Sequence, residues 1–316
     1  MGAGAGGGEE AVRPKQLIVN ADDYGLTEGV SRAILRAHAA GIVTSTSVLA
    51  LAPGFSSTVG WLQDHPTLGT GAHLAAVGED PPLLSAREVP SLVDRRGRLR
   101  LSWRHFLPLA AAGRVDPDDL RRELTAQMEA IVGAGVEVDH IDTHQNLHLW
   151  PMVRDVVLDV GEAFGVRVIR VTRSAARSIV GATVQRLAGD LQERLDARGW
   201  AYAPVSTGLD EAGHLSRGAM VTALERLSRE VDARGGGVAE LASHPGEAGD
   251  VDLVRYRWDY AWGDELAALC SGTVRSAVDE LGFAPTTFAS LAPPTTSSSA
   301  PPPTTPSSTA PTGAVP

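Results

Sequence analysis

Short apolar runs of strand length alternate with amphipathic helical patterns along most of this chain, and that alternation limits the folds open to it. The strand runs fall at residues 16–20, 43–51, 68–74, 166–171 and 238–243, with a last one near Phe283. Helical patterns lie between them. Thr27 caps one that carries Val30, Ile34 and Leu35 on a single face and stops at Gly41. Asp116-Pro117 opens another that runs to about 132, proline being suited to the first helical position. Others cover 55–64, 152–164, 182–197 and 217–233. Strands separated by helices run parallel and bury both faces. The pattern therefore predicts a single α/β domain, either a (β/α) barrel of TIM-barrel type or an open doubly wound sheet. From 75 to 115 it gives way to Pro- and Arg-rich sequence, long enough to be an excursion over an active site.

Polar residues collect where the strands end. Asp22 and Asp23 follow the first, His73 sits near the end of the third, and His244 follows 238–243. His140, Asp142, His144, Asn146 and His148 recur at every second position. On an extended strand these five side chains share one face; on a helix His140 pairs with His144 and His144 with His148. In both cases the imidazoles converge, and imidazole with carboxylate is a donor set for a borderline divalent cation. In a barrel the C-terminal strand ends form one face, where active sites are built. Adjacent carboxylates such as Asp22 and Asp23 point differently, so one can bind a metal while the other reaches substrate. His38, His65, His105 and His214 have no such partners and are placed on the surface.

The chain ends read differently. Residues 1–14 are Gly-rich and 291–316 are almost wholly Pro, Thr, Ser and Ala, compositions that bury too little apolar surface to offset ordering entropy. Both are expected to be disordered, with the folded domain at 15–290 and the tail dispensable for activity. A net charge of −10 without a basic run argues against a nucleic-acid surface. No apolar run reaches membrane-span length, and the first residues lack the apolar core of a signal peptide. The single cysteine, Cys270, excludes an internal disulfide framework. A cytoplasmic protein that engages neither membrane nor nucleic acid is expected; homo-oligomerisation stays open. There is no G-x-S-x-G, P-loop or dinucleotide fingerprint.

Four motifs stand in order: Asn20-Ala21-Asp22-Asp23-Tyr24-Gly25, Gly71-Ala72-His73-Leu74, His140-Ile141-Asp142-Thr143-His144 with His148, and His244-Pro245-Gly246. Together they resemble the YdjC-like carbohydrate deacetylase family, the chitooligosaccharide (chitin disaccharide) deacetylase-like enzymes, from about Lys15 to near Phe283. The resemblance implies a distorted (β/α) barrel that removes N-acetyl groups from amino sugars or short oligosaccharides with one divalent metal ion. By motif position Asp23, His73 and His144 are the implied metal ligands. Asp22 is the implied catalytic carboxylate, taking a proton from the attacking water. His244 is then the candidate for protonating the departing amine or positioning the substrate. His140, Asp142, Asn146 and His148 are candidates for substrate contact or for orienting ligands, with Asp142 behind His144 or His140. The family implies magnesium, whereas two nitrogens and one carboxylate suit zinc, cobalt or nickel better.

The chain departs from the family pattern at Asn146, where many members carry a second histidine, and at Tyr24, which replaces a phenylalanine. An amide holds a sugar hydroxyl but shuttles no proton, so substrate contacts are expected to differ there. Trp103 and Trp150 are candidate sugar platforms. A hydrolase with the same metal centre acting on a non-sugar amide or phosphoester is an alternative, disfavoured for phosphoesters because no basic cluster lies near the ligands. A carbohydrate-binding homologue without turnover is a third reading, against which Asp22, Asp23, His73 and His144 all stand intact.

Overall fold

The structure, a computed structural model, describes residues 13–292. Residues 1–12 and 293–316, on which most of the expected disorder rests, lie outside it. The first half of the chain forms β1 (Lys15–Tyr24), α1 (Glu28–Ala40), β2 (Ser45–Val48), α2 (Phe55–Thr58), β3 (Gly69–Leu74), α3 (Trp103–Ala111), α4 (Pro117–Gly133) and β4 (His140–Thr143). The second half adds α5 (Pro151–Ala163), α6 (Ile179–Arg198), β5 (Val205–Thr207), α7 (Arg217–Asp232), β6 (Gly237–Ser243), α8 (Trp262–Leu269), α9 (Gly272–Glu280) and β7 (Ala284–Pro285).

All the pairings between these strands are parallel, in the order β4-β3-β2-β1-β6-β5, with β7 beside the start of β1. β1 is the central strand, buried from Leu17 to Tyr24 on both faces, as a parallel strand covered by helices must be. The helices start where the sequence supplies caps. Thr27 Oγ1 accepts from Val30 N at 3.0 Å, and Asp116 accepts from Asp118 N with Pro117 at the first position. α6 is capped at its start by Ser178, whose hydroxyl accepts from Gly181 N, and at its end by Gly199 in the left-handed region.

Past β4 the ladder continues by single bridges. Ile141 pairs with Ile169 and Val168 with Ala201, and the chain from Ala201 runs on into β5, which pairs with β6. The sheet thus curls back on itself as a distorted barrel, not an open doubly wound sheet. The strand expected at 166–171 is reduced to these bridges, and β5, only three residues long, follows Pro204, which has no N–H to extend a ladder. No helix among the described residues is long and apolar enough to cross a membrane.

The segment 140–148 is neither the long strand nor the helix that its spacing allows. β4 stops at Thr143, and residues 144–149 wind into a 3₁₀ turn in which Gln145 and Asn146 have φ of 54°. Thr143 Oγ1 accepts from His148 N at 2.9 Å and contacts His148 Nδ1, which pulls the chain out of the strand direction. The excursion at 75–115 lies beside this turn. Gln145 holds it through Trp103 N and Leu101 O.

Candidate metal centre

The site forms at the C-terminal ends of β1, β3, β4 and β6. β1 breaks register with β2 between Ala21 and Tyr24, where Asp23 adopts φ of 70°. A regular strand would send Asp22 and Asp23 to opposite faces; this bulge turns both toward one cavity of about 620 Å³. Its lining also includes His73, His144, Asn146, Arg170 and His244.

Asp23 Oδ1 lies 3.4 Å from His73 Nε2 and 3.4 Å from His144 Nδ1, and it has no hydrogen-bond partner although fully buried. One cation bound at roughly 2.0–2.2 Å to each of three donors leaves them roughly 3–3.5 Å apart. Two imidazole nitrogens, each 3.4 Å from an unpaired carboxylate oxygen and all three atoms within 4.8 Å of one another, fit a divalent ion. His73 is held from behind: its Nδ1 donates to Asp142 Oδ1 at 2.6 Å. Asp142 therefore serves His73, rather than His144 or His140 as the spacing suggested, because β3 and β4 pair His73 with Asp142 in register.

Arg170, which the sequence patterns did not single out, occupies the barrel interior. It binds both oxygens of Asp22 at 2.7 Å, Asp142 Oδ2 at 2.7 Å and Glu240 Oε1 at 2.5 Å. Asn20 Nδ2 adds a bond to Asp22 Oδ1 at 2.8 Å. The one signal for this residue was an arginine between Ile169 and Val171 in a stretch expected to be a buried strand.

The electrostatics follow. Burial opposes ionisation of Asp23, but the nearby imidazoles of His144 and His73 overcome it and hold the carboxyl at about 2. Burial likewise opposes ionisation of Asp22 and Asp142. Arg170 outweighs it in both, keeping Asp22 lowered and Asp142 well below the usual carboxylate range. Burial would lower His73, yet Asp142 raises it to about 9. Burial lowers His148 to about 4, so it is neutral. Three ionised carboxylates are thus offset by the Arg170 guanidinium and a proton on His73, and a dication that displaced that proton would balance them.

The other expected residues divide. His244 Nε2 lies 3.7 Å from Asp22 Oδ2, with its backbone N–H on Glu265 and its ring 5.1 Å from Tyr260. Asn146 accepts from Thr172 Oγ1 at the cavity wall. His140 and His148 do not line the cavity. His140 stacks on Phe288 inside the barrel, and His148 packs beneath the turn on Thr143. Trp103 lines the cavity, whereas Trp150 faces a neighbouring apolar groove. Trp258 and Tyr260 were missed; they come from a run of alternating aromatics, Tyr256 to Trp262, and Trp258 lies 5.1 Å from the His144 ring. His105 and His214 are exposed, while His38 and His65 are half-buried, away from the site. The expected lack of basic side chains is also corrected. Arg104 and Arg257 line the cavity, and Arg98, Arg100, Arg114 and Arg255 line a groove that shares Arg104 with it.

A parallel barrel with an Asp–His–His cluster at its C-terminal mouth defines a class of barrel proteins with a candidate metal site there. Within it, this chain belongs to the YdjC-like protein family, whose model matches residues 16–280. It is 39% identical over 153 residues to a carbohydrate deacetylase of Brevibacillus brevis, covering 48% of this chain and 58% of that one. It is 36% identical over 155 residues to carbohydrate deacetylase 1 of Listeria innocua, covering 49% and 60%. The chain thus matches somewhat over half the length of these relatives. A crystal structure from Enterococcus faecalis, provisionally described as a cellobiose-phosphate cleavage protein, superposes with a TM-score of 0.73 at 27% identity over 88% of this chain and 99% of that one.

Proposed function

We propose that this protein is a metal-dependent deacetylase of N-acetylated amino sugars or short oligosaccharides. The observation that carries the reading is the unpaired Asp23 Oδ1 set 3.4 Å from two imidazole nitrogens on the floor of an open cavity. The relatives named carbohydrate deacetylases support the substrate class. Asp23, His73 and His144 would hold the ion. A divalent ion there would supply an electrophile for the acetyl carbonyl and make water acidic enough to attack at neutral pH.

The chain's own residues do the rest. Asp22 receives three hydrogen bonds, from Asn20 and from both Arg170 Nη atoms, out of about four that a carboxylate accepts. The remaining site, on Oδ2, is free to take a proton from water, and Arg170 keeps the group ionised until then. His244, whose Nε2 lies 3.7 Å from that oxygen, would protonate the departing amine. Trp258 and Tyr260 offer apolar faces to a sugar ring.

The test is acetate release from N-acetylglucosamine and its oligomers by metal-stripped protein supplied with zinc, cobalt, nickel or magnesium. Metal-restored release that Asp22→Ala and His144→Ala both abolish is expected. Metal binding with no acetate from any sugar would sink the substrate reading. A phosphoester substrate is the second reading, favoured by Arg104 and Arg257 at the cavity; phosphate release from sugar phosphates without acetate release would establish it instead.

A further inference from the structure

From the ligand His73 a line of polar groups runs back behind the donor cluster, and beyond His73 the proposed chemistry uses none of them. It runs Asp139, His140, Ser47, Asp142, His73. Asp139 Oδ1 is 2.5 Å from His140 Nδ1, His140 Nε2 is 3.2 Å from Ser47 Oγ, Ser47 donates to Asp142 Oδ2 at 2.9 Å, and Asp142 Oδ1 accepts from His73 at 2.6 Å. We infer that Ser47 and His140 are positioning residues for the metal: through Asp142 they fix which nitrogen His73 presents to it. This rests on the reading of Asp23, His73 and His144 as its ligands.

The strand register builds the line. Ser47 on β2, Gly71 on β3 and His140 on β4 are paired directly across three strands. A side chain at Gly71 would block the path, since a Cβ there would sit 2.3 Å from the His140 ring. Glycine lets that ring lie across β3 and reach Ser47, while Phe288 stacks on it at 3.9 Å. Gly69, two residues earlier on the same strand, leaves room in the same way: a Cβ there would lie 2.9 Å from Asp139 Oδ2.

Hydrogen-bond accounting gives the line a direction. The Ser47 hydroxyl has one proton and accepts from Asn20 Nδ2 at 2.9 Å. Its proton goes to Asp142, an acceptor that is ionised beside Arg170, so His140 Nε2 must be the donor in its contact with Ser47. A further proton lies between His140 Nδ1 and Asp139. Asp142 then accepts three bonds, at Oδ2 from Ser47 and Arg170 and at Oδ1 from His73 Nδ1–H. With Nδ1 committed as a donor, His73 has only Nε2 to offer, the nitrogen that faces Asp23 Oδ1.

The experiment is a zinc competition titration against a chromophoric chelator, with the visible spectrum of the cobalt-loaded protein as a second readout, on the full chain. Native protein, Ser47→Ala and Thr44→Val are compared. Thr44 also sits beside β1 and accepts from Val19 N, but it is not a member of the line, so its loss reports on stability alone. Ser47→Ala is expected to bind zinc about 10- to 100-fold more weakly and to alter the cobalt spectrum. Thr44→Val should lower the melting temperature and leave both readouts unchanged. Should Ser47→Ala fail to fold, Asp139→Asn at the half-buried end of the line replaces it, with weaker zinc binding again expected. Native binding that either folded variant matches within twofold would overturn the inference and leave the proposed function standing. Native protein that takes up no metal would instead overturn the function, and the inference with it.

Discussion

At the scale of single residues, Arg170 and His73 set what the site can do, in opposite senses. Arg170 ties Asp22, Asp142 and Glu240 together with a planar fork that an ammonium cannot copy. Arg170→Lys should therefore fold poorly or, where folded, lose about 100-fold or more in kcat, because Asp22 is no longer gripped at both oxygens; steady-state kinetics beside circular dichroism checks this. Asp22→Asn should lose about 10²- to 10⁴-fold in kcat while still binding metal. His73 carries the pH dependence. Its value is raised from 6.5 to about 9 by Asp142 against the effect of burial, so in the metal-free protein it holds a proton through neutral pH. A raised value means that its contribution to folding is full below 6.5 and lost as pH rises through 9. Metal must displace that proton, so zinc affinity should climb between pH 6.5 and 9 as the stability of the metal-free protein declines. Zinc affinity that is flat across this window would show that His73 is not a ligand.

At the scale of elements, what was legible followed from local rules. The helices carry their caps in the sequence, at Thr27, Asp116-Pro117 and Ser178, and the strands of 16–20, 68–74 and 238–243 are apolar enough to be found. Asp22, Asp23, His73, His144 and His244 could be found because each stands at a strand end. What failed depended on tertiary contacts. The alternation of 140–148 mimics a strand, but Gln145 and Asn146 turn left-handed, a conformation that Asn tolerates and that Trp103 and Leu101 reinforce through Gln145. Arg170 was hidden in an apolar run because its partners come from three other strands. The glycines of β3 carried no visible purpose until His140 was seen lying over Gly71. Gly71→Ala should cost about 1–3 kcal/mol, a size set by overpacking against the His140 ring, and a denaturant titration measures it. Asn146→Gly should be neutral or slightly stabilising, because glycine adopts that φ without strain; a loss above about 1 kcal/mol would mean that the bond from Thr172 matters more than the backbone.

At the scale of the whole molecule, the barrel closes around an unbalanced charge. The parallel ring is complete only through the single bridges at Ile141–Ile169 and Val168–Ala201, and Arg170, which follows them, is the residue that joins β1, β4 and β6 across the interior. Asp22, Asp23 and Asp142 repel one another at its centre, and only Arg170 and a proton on His73 offset them when no ion is bound. A dication should therefore stabilise the closed ring as a whole. Mass action alone gives about 4 kcal/mol at a free metal concentration roughly a thousand times the dissociation constant. For a domain of this size that corresponds to a rise in melting temperature of roughly 8–16 °C. The rise should be larger at pH 8 than at pH 6, since at the lower pH the ion competes with the proton on His73. Differential scanning calorimetry with chelator and with zinc at both pH values measures it. A rise equal at the two pH values would separate the stabilising ion from His73, and no rise at all would mean that the carboxylates are balanced by protons rather than by metal.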